Sequence, residues 1–252
     1  MVAHITVNSL DTLPNELALY VLHIQDRVLA KKDRFDVAIS GGSLAKTMAE
    51  GLVGNPHARL SKWNIWLADE RIVKNDHADS NFGVFEKEFL SKLPENERPV
   101  CFSLNDTDFD VASTPSAEFA KDYQARLIKE LGPDPVIDLV YLGMGPDGHN
   151  CSLFPGHKLL EERELFVSSL DDSPKPPPRR ITLTKRALAN ADHLVFVTIG
   201  SSKNEAIKGV FVKRDPALPS FQVNQLAKNE VVWFCDHDAV AGVNVPDINA
   251  KV

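Results

Sequence analysis

The sequence has little cysteine, no paired cysteine motif and no long apolar run. Its three cysteines, Cys101, Cys151 and Cys235, are widely spaced and none belongs to a CxxC pair. This argues against a disulfide framework or a thiolate zinc site and favours a reducing compartment. No apolar run approaches the roughly 20 residues that a membrane-spanning helix needs. Residues 1–16 also lack a basic segment followed by an apolar core. We therefore expect a cytoplasmic protein with no membrane partner.

The sequence also contains fewer basic than acidic residues. The 252 residues include 28 Lys and Arg against 35 Asp and Glu, which gives a formal net charge of −7. This balance argues against a surface built to hold nucleic acid, although it permits a local basic pocket. A hydrophobic fraction of 43% rules out a disordered or fibrous chain. Since nothing in the sequence resembles an interdomain linker, we expect one domain over residues 1–252.

Several short runs rich in β-branched and aromatic residues predict buried strands. Most are continuously apolar rather than alternating, which is typical of strands covered on both faces in a parallel sheet. Amphipathic stretches between them predict helices. The alternation predicts an α/β fold with a mostly parallel, Rossmann-like sheet and helices on both faces. The predicted strands are 4–7, 35–40, 64–69, 137–143, 193–200 and 230–236, and the predicted helices are 14–31, 43–53, 116–131 and 201–212.

Two strand-to-helix junctions have the composition of anion sites. In the first, a strand ends at Gly41, Gly42 and Ser43, where glycine permits close approach of a ligand and the helix N-terminus favours phosphate. The alternative is a tight turn in which Ser43 only caps the helix. In the second, Gly200 leads to Lys203 in the first helical turn. A cation there opposes the helix dipole, which is easier to understand if Lys203 meets an anionic ligand than if it faces solvent.

The run Asp69-Glu70-Arg71 follows a predicted strand. Ligand-binding groups in open α/β sheets lie at the carboxyl ends of strands. Because side chains alternate along an extended chain, either Asp69 and Arg71 face a pocket with Glu70 turned away, or the reverse. A charged surface loop is the alternative.

The segment 139–157 holds the candidate base. Gly143, Gly145 and Gly148 formally spell GxGxxG, but we see no helix opening at this turn, so a dinucleotide site is disfavoured. The segment does place Asp147 and His149 in a loop after a strand, and histidine is suited to proton transfer near neutral pH. A Cys151–His149 nucleophilic pair and a metal site that includes His157 are weaker alternatives, since the spacing matches no common zinc pattern.

The proline-rich segment 169–180 cannot be a helix interior or a central strand. It is either a solvated surface loop or a loop beside the active site that delivers Arg179 and Arg180.

Taken together, these motifs resemble the glucosamine-6-phosphate isomerase/6-phosphogluconolactonase superfamily, and within it the 6-phosphogluconolactonases. The resemblance covers nearly the whole chain. It rests on SGGS (40–43), W-x-x-W-x-A-D-E-R (63–71), SNFG (80–83), LGMGPDGHNCSLFPGH (142–157), RRITLT (179–184) and IGSSKNEAIK (199–208).

The resemblance implies hydrolysis of 6-phospho-D-glucono-1,5-lactone, with no cofactor and no metal. It implies that His149 is the catalytic base and that Asp69 and Asp147 lie close to it. Asp69 would either orient His149 or bind a sugar hydroxyl. The remaining implied residues bind the sugar phosphate: Gly41, Gly42, Ser43, Arg71, Gly145, Arg180 and Lys203. We expect a monomer whose partner is this small molecule.

Two other functions stay open. The first is glucosamine-6-phosphate isomerase/deaminase activity. Enzymes of that kind resemble this chain at Asp69, Asp147 and His149 but carry a glutamate a few residues later that helps to open the sugar ring. Here residues 150–156 read NCSLFPG and contain no acid, which favours a lactone. The second is a non-catalytic sugar-phosphate sensor, which could dispense with His149.

Overall fold

The computed structural model describes residues 3–243, whose main element is a seven-stranded parallel sheet. Its strand order is β1-β10-β9-β6-β2-β3-β5. Five of the six strands predicted from sequence and most of the sixth (64–69) are in this sheet, and the parallel α/β prediction is confirmed. The strands are β1 (Ala3–Asn8), β2 (Phe35–Ile39), β3 (Trp63–Leu67), β5 (Val100–Cys101), β6 (Leu139–Gly143), β9 (Leu194–Thr198) and β10 (Val231–Asp236).

The apolar strands form the centre of the core. Every residue of β2, β3, β9 and β10 is buried, so both faces of the sheet are covered. Aromatic pairs reinforce the packing, since the ring of Trp66 stacks on Phe102 and that of Phe196 on Trp233, each with centroids 3.8 Å apart. Burying one such large side chain stabilises a fold by roughly 1.5–3 kcal/mol. The sheet is therefore a rigid platform for the loops at its edges.

Helices connect the strands much as the sequence predicts. Gly51 lets the first two helices approach closely, because a Cβ at this position would lie 2.3 Å from the carbonyl oxygen of Pro14. The predicted helix 201–212 is a helical stretch of changing pitch, with a 3₁₀ turn at Ser201–Lys203, an α-helix and a π segment at Gly209–Lys213. The helices are α1 (Leu13–Leu29), α2 (Leu44–Leu52), α3 (Asn81–Glu88), α4 (Ser116–Leu131), α5 (Lys185–Asn190), α6 (Asn204–Lys208) and α7 (Pro219–Leu226).

A small antiparallel sheet was not predicted. It consists of β4 (Asp69–Arg71), β8 (Arg180–Leu183) and β7 (Val167–Leu170), in that order. The predicted strand 64–69 is thus two strands that belong to different sheets. The predicted loop 169–180 is likewise shorter, since its first two residues end β7 and its last begins β8. Three- and four-residue strands carry too little periodicity to be recognised from sequence.

The buried apolar side chains of the described residues form one contiguous core. The predicted domain of residues 1–252 also includes residues 1, 2 and 244–252, which lie outside the described part of the chain. Within residues 3–243, no helix combines the length and apolar character that crossing a membrane requires.

Candidate active site

Three loops that follow neighbouring strands meet at the carboxyl edge of the large sheet. They follow β2, β6 and β9, and strand β4 lies beside them. Together they enclose a cavity of about 210 Å³. The sequence predicted this convergence from the strand ends, as expected for an open α/β sheet. The cavity is lined by Ser40, Gly41, Gly42, Asp69, Arg71, Asn81, Gly143, Met144, Gly145, Pro146, His149, Cys151, Arg180 and Lys203.

The turn after β2 is shaped by its two glycines. Gly42 has a φ of +81°, a conformation that non-glycine residues rarely adopt. Gly41 leaves space for Asn81, since a Cβ on Gly41 would lie 1.9 Å from the Oδ1 atom of Asn81. Ser43 is exposed, does not line the cavity and makes no side-chain cap bond to α2. The backbone of this turn thus faces the cavity, whereas the Ser43 side chain does not.

Strand β4 decides which charged side chains face the cavity. Asp69 and Arg71 line it, and Glu70 is turned away. The Glu70 carboxylate is buried and accepts hydrogen bonds from the backbone N–H groups of Asn81 and Phe82, both 2.8 Å long, and from the Ser80 hydroxyl at 3.2 Å. Glu70 therefore ties the start of α3 to β4 and has a structural role.

Asp69 is buried at the floor of the cavity. Its Oδ2 atom accepts a hydrogen bond of 2.8 Å from the Ser152 hydroxyl. Within residues 3–243 it makes no hydrogen bond with His149, so it does not orient that ring directly. Its charge still acts at a distance, because it favours the protonated form of His149.

His149 and Asp147 form a close pair in the loop after β6. The Nδ1 atom of His149 lies 2.5 Å from Oδ1 of Asp147. The His149 ring also packs against Phe154, with centroids 4.8 Å apart. Because an ionised carboxylate can only accept hydrogen bonds, the ring proton lies on Nδ1 and the Nε2 lone pair is left to accept a proton.

Burial and charge set the protonation of this pair. Burial lowers the pKa of His149, and this effect outweighs the opposing hydrogen bond to Asp147. Burial alone would raise the pKa of Asp147, but the hydrogen bonds from His149 and Lys175 outweigh it and lower that pKa to about 2. Near neutral pH the pair is therefore a neutral imidazole beside a carboxylate, which is the state that a general base requires.

Gly145 provides the space that this pair occupies. A Cβ at position 145 would lie 2.0 Å from both Cε1 and Nδ1 of His149 and 2.6 Å from Oδ1 of Asp147. The Gly145 N–H group donates to the His149 carbonyl at 2.8 Å, which closes the loop. Gly145 borders the cavity, as the sequence suggested, but its contacts also give it a role in the geometry of the base.

Three cations line the cavity without a carboxylate partner among the described residues: Arg71, Arg180 and Lys203. Arg71 uses one nitrogen to donate to the Asp79 carbonyl at 2.7 Å, while its buried Nε has no partner. Lys203 makes no side-chain hydrogen bond within residues 3–243. Burial lowers the pKa of Lys203, and the nearby charge of Lys175 adds to the effect. Such unpaired positive charge favours binding of an anion.

Arg180 also shapes the proline-rich loop. Its guanidinium is buried and donates to the backbone carbonyls of Lys175, Pro176 and Pro177 at 2.9–3.1 Å. The loop thereby brings the Lys175 ammonium to 3.1 Å from Asp147 Oδ1. Arg179 points elsewhere and donates to the Ser116 hydroxyl at 3.1 Å. The segment thus lies beside the candidate cavity and delivers Arg180 to it, but not Arg179.

Sequence reasoning missed Lys175, Ser152 and Asn81. Lys175 lies in the proline-rich segment, where only the arginines point to the site from sequence. Ser152 and Asn81 were within the quoted motifs, yet neither had a predicted role. The Asn81 amide donates to the Asp69 carbonyl at 2.8 Å.

The weaker alternatives for the segment 139–157 gain no support from the geometry. Cys151 is buried, with its sulfur 3.6 Å from the Ser40 hydroxyl, and burial raises the pKa of its thiol well above the usual value. Cys151 therefore lacks the thiolate that nucleophilic catalysis needs. No helix opens directly after β6, so the glycines do not form a dinucleotide turn. No group of three or more His, Cys, Asp or Glu side chains with metal-site geometry occurs among the residues described.

A larger cavity, of about 810 Å³, lies at the opposite, amino edge of the sheet. Some of its charged side chains form ion pairs with one another or with the buried Asp36 beneath them. Lys32 lies 2.8 Å from Asp138 and 3.1 Å from the buried Asp36, and Arg34 lies 3.2 Å from Asp36. This cavity is lined by none of the predicted site residues.

Comparison with known proteins gives a consistent result. Residues 8–233 match the profile of a family described as glucosamine-6-phosphate isomerases/6-phosphogluconolactonase. The chain is 38% identical over 239 residues to 6-phosphogluconolactonase 3 of Saccharomyces cerevisiae, a match that covers 92% of this chain and 94% of that relative. It is 39% identical over 221 residues to the 6-phosphogluconolactonase of Homo sapiens, covering 84% and 82%.

The fold is similar to that of a solved structure. The crystal structure of 6-phosphogluconolactonase from Leishmania guyanensis superimposes with a TM-score of 0.78 at 25% sequence identity, and the match covers 97% of this chain and 100% of that one.

Proposed function

The chain belongs to the glucosamine-6-phosphate isomerase/6-phosphogluconolactonase family, and we propose that it hydrolyses 6-phospho-D-glucono-1,5-lactone to 6-phospho-D-gluconate, the second step of the oxidative pentose phosphate pathway. One observation carries the proposal within this family. A neutral histidine, His149, lies at a cavity that also holds three cations without carboxylate partners among the described residues. This pairs a base for activating water with a site for a sugar phosphate.

In the proposed mechanism His149 moves one proton twice. Its Nε2 atom takes a proton from water, and the water oxygen attacks the lactone carbonyl at C1. The tetrahedral intermediate then collapses with cleavage of the bond between C1 and the ring oxygen. The imidazolium of His149 returns its proton to that departing oxygen, and Asp147 stabilises the imidazolium meanwhile. The product is the open-chain acid, which ionises in neutral solution.

The cations that line the cavity supply the electrostatic stabilisation in the proposed mechanism. The backbone N–H groups of Gly145 and Gly148 donate to carbonyls within their own loop, at 2.8 and 2.9 Å, so they are not free to bind an oxyanion. Lys203 remains as a donor for the phosphate, and Arg71 and the Nη1 group of Arg180 remain for the phosphate or for the negative charge that develops at C1. Loss of one such donor typically costs 10²–10³ in rate.

General base catalysis typically contributes 10²–10⁴, which corresponds to about 3–5 kcal/mol of activation free energy. A lactone suits this kind of catalysis because its ester carbonyl is already electrophilic. It also hydrolyses without an enzyme.

The contacts support the remaining parts of the proposal. We also propose that the protein is a monomer and that it acts without a metal or a cofactor. The three cysteines are unpaired thiols, which fits a cytoplasmic location. The formal charge of −7 supports a small sugar phosphate rather than a nucleic acid as partner.

Two alternatives remain to be tested. The isomerase/deaminase alternative requires an acid for ring opening, but residues 150–156 contain none and Glu70 points away from the cavity. The sensor alternative has no use for a base held in one tautomer, so the His149–Asp147 pair counts against it.

One assay separates all three functions. The lactone is generated from glucose 6-phosphate with its dehydrogenase, and its decay is compared with the spontaneous background. The protein is then incubated with glucosamine 6-phosphate and ammonia is measured. We expect accelerated lactone hydrolysis and no ammonia. Ammonia without accelerated hydrolysis would establish the deaminase, and neither activity would favour the sensor.

A further inference from the structure

We propose that Lys175 is a positioning residue that keeps Asp147 ionised and the imidazole of His149 neutral. The inference rests on the proposed role of His149 as the base and extends it to a residue in another loop. The Lys175 Nζ atom lies 3.1 Å from Asp147 Oδ1 and 3.2 Å from His149 Nδ1. An ammonium group only donates, so its contact with Asp147 is attractive, whereas its proximity to His149 acts against positive charge on the ring.

The loop around Lys175 is built to present this side chain. Its backbone N–H donates to the Ser173 hydroxyl at 3.2 Å, and its carbonyl accepts from the same hydroxyl at 2.8 Å. Arg180 adds a third hydrogen bond, to the Lys175 carbonyl at 2.9 Å. Three hydrogen bonds on one backbone unit fix the point from which the side chain extends, and the contact with Asp147 then holds the ammonium group.

The charge of Lys175 acts on the pair in two ways. It stabilises the Asp147 carboxylate, which then accepts the Nδ1 proton of His149 and leaves Nε2 free. It also disfavours the imidazolium by direct repulsion, which opposes the stabilising charges of Asp147 and Asp69. The cations that line the same cavity, Arg71, Arg180 and Lys203, add positive charge around the ring. Lys175 therefore helps to keep the base neutral.

A competing role for Lys175 is direct binding of the substrate phosphate. Lys175 is close enough to Lys203 to lower its pKa, so both could face one anion. The two roles predict different consequences of removing the charge. A positioning residue changes the titration of His149 without any substrate, whereas a phosphate ligand changes KM.

The protein offers a matched control at its surface. There His157 Nε2 lies 3.0 Å from Asp172 Oδ1, and Lys158 Nζ lies 3.1 Å from Asp172 Oδ2. This second trio of histidine, aspartate and lysine lies outside the residues that line the cavity. Lys158→Met thus removes the same charge from a similar trio away from the base.

The experiment compares Lys175→Met, Lys175→Arg and Lys158→Met with the wild-type enzyme. The titration and tautomer of His149 are followed by ¹⁵N NMR of histidine-labelled protein, with the signal assigned through a His149 variant. The pH dependence of kcat/KM is measured on the lactone. For Lys175→Met we expect the pKa of His149 and the acid limb of kcat/KM to rise together by about one pH unit. In Lys175→Arg the pKa of His149 and the acid limb should stay close to their wild-type values. In Lys158→Met both should be unchanged.

The outcomes separate this inference from the proposed function. A higher KM with unchanged titration and acid limb overturns the positioning role and makes Lys175 a substrate contact. A shifted His149 titration with an unmoved acid limb supports positioning but overturns His149 as the base. Should Lys175→Met lower thermal stability, Lys175→Gln replaces it in the same comparison, because it also removes the charge and its polar end suits a partly exposed position.

Discussion

Gly145 and His149 are so close that no side chain fits between them: a Cβ on residue 145 would lie 2.0 Å from the Nδ1 and Cε1 atoms of the histidine ring. Position 145 therefore controls whether His149 can stay against Asp147. The clash would involve a ring that is itself held by Asp147 and Phe154. Relief of the clash requires the ring to turn or the loop to move.

Gly145→Ala should therefore inactivate the enzyme without unfolding it. We expect kcat to fall about 10²-fold, the lower end of the contribution of a general base, because His149 loses its partner. Thermal unfolding and kcat on the lactone are the two measurements. The matched comparison is Gly143→Ala, whose Cβ would have only the Leu44 side chain, at 4.0 Å, as a neighbour. The decrease in kcat of Gly143→Ala should be much smaller. Equal decreases in the two variants would contradict the account.

Asp147→Asn should lower kcat because an amide can no longer select the proton position on His149. An analogous change in a serine protease costs about 10⁴, and we expect roughly 10² here because Asp147 is partly exposed. The control is Asp172→Asn in the surface trio, which should keep full activity.

The acid limb of the pH profile provides a second check on this pair. The pKa of Asp147 is about 2, so this carboxylate stays ionised throughout the working range. Activity lost on acidification therefore reports protonation of His149. Because burial lowers the pKa of His149, that loss should occur below the pH expected for an exposed histidine. An acid limb that follows Asp147, near pH 2, would contradict this assignment.

Lys203→Ala should weaken only the reaction of phosphorylated substrate. The Lys203 side chain makes no hydrogen bond among the described residues, so its removal leaves no buried partner unsatisfied. We expect kcat/KM to fall about ten- to a hundredfold on the 6-phospholactone, in line with one charge-assisted hydrogen bond. The reaction of unphosphorylated glucono-1,5-lactone should change little. Lys92→Ala, in a surface pair with Glu88, is the control. Equal losses on both lactones would exclude a phosphate contact.

Glu70→Gln should destabilise the fold. Glu70 is only 1% exposed, and its carboxylate accepts hydrogen bonds from three backbone N–H groups and one hydroxyl. An amide nitrogen in its place would face these donors. We expect the free energy of unfolding to fall by roughly 2–3 kcal/mol, measured by urea denaturation. Glu88→Gln on the surface of α3 should change it by less than about 0.5 kcal/mol. Unchanged stability in Glu70→Gln would refute the structural role.

Much of the site follows from the sequence because strands carry strong local signals. The apolar runs identify β2, β6 and β9, and parallel strands bring their following loops to one edge. The sequence could thus place Gly41, His149 and Lys203 in one cavity. The alternation of side chains along β4 allows either Glu70 or the pair Asp69 and Arg71 to face the cavity. Only the hydrogen bonds that the start of α3 donates to Glu70 select the second orientation.

The rest depends on contacts between distant positions. Asp69 and Ser152 are 83 residues apart, and Lys175 reaches His149 across 26 residues from a loop without a periodic pattern. That loop is placed by the hydrogen bonds of Arg180, whose strand β8 has only four residues. Such short strands and single side-chain bonds have no counterpart in local sequence patterns, which explains why Lys175 was missed.

The most direct test of the central claim is the turnover of His149→Ala on 6-phospho-D-glucono-1,5-lactone, corrected for spontaneous hydrolysis and with folding checked by thermal unfolding. We expect kcat to fall by 10²–10⁴ with little change in thermal stability, because the ring acts on water and not in the core. A folded His149→Ala protein with near-normal kcat would contradict the assignment of His149 as the base.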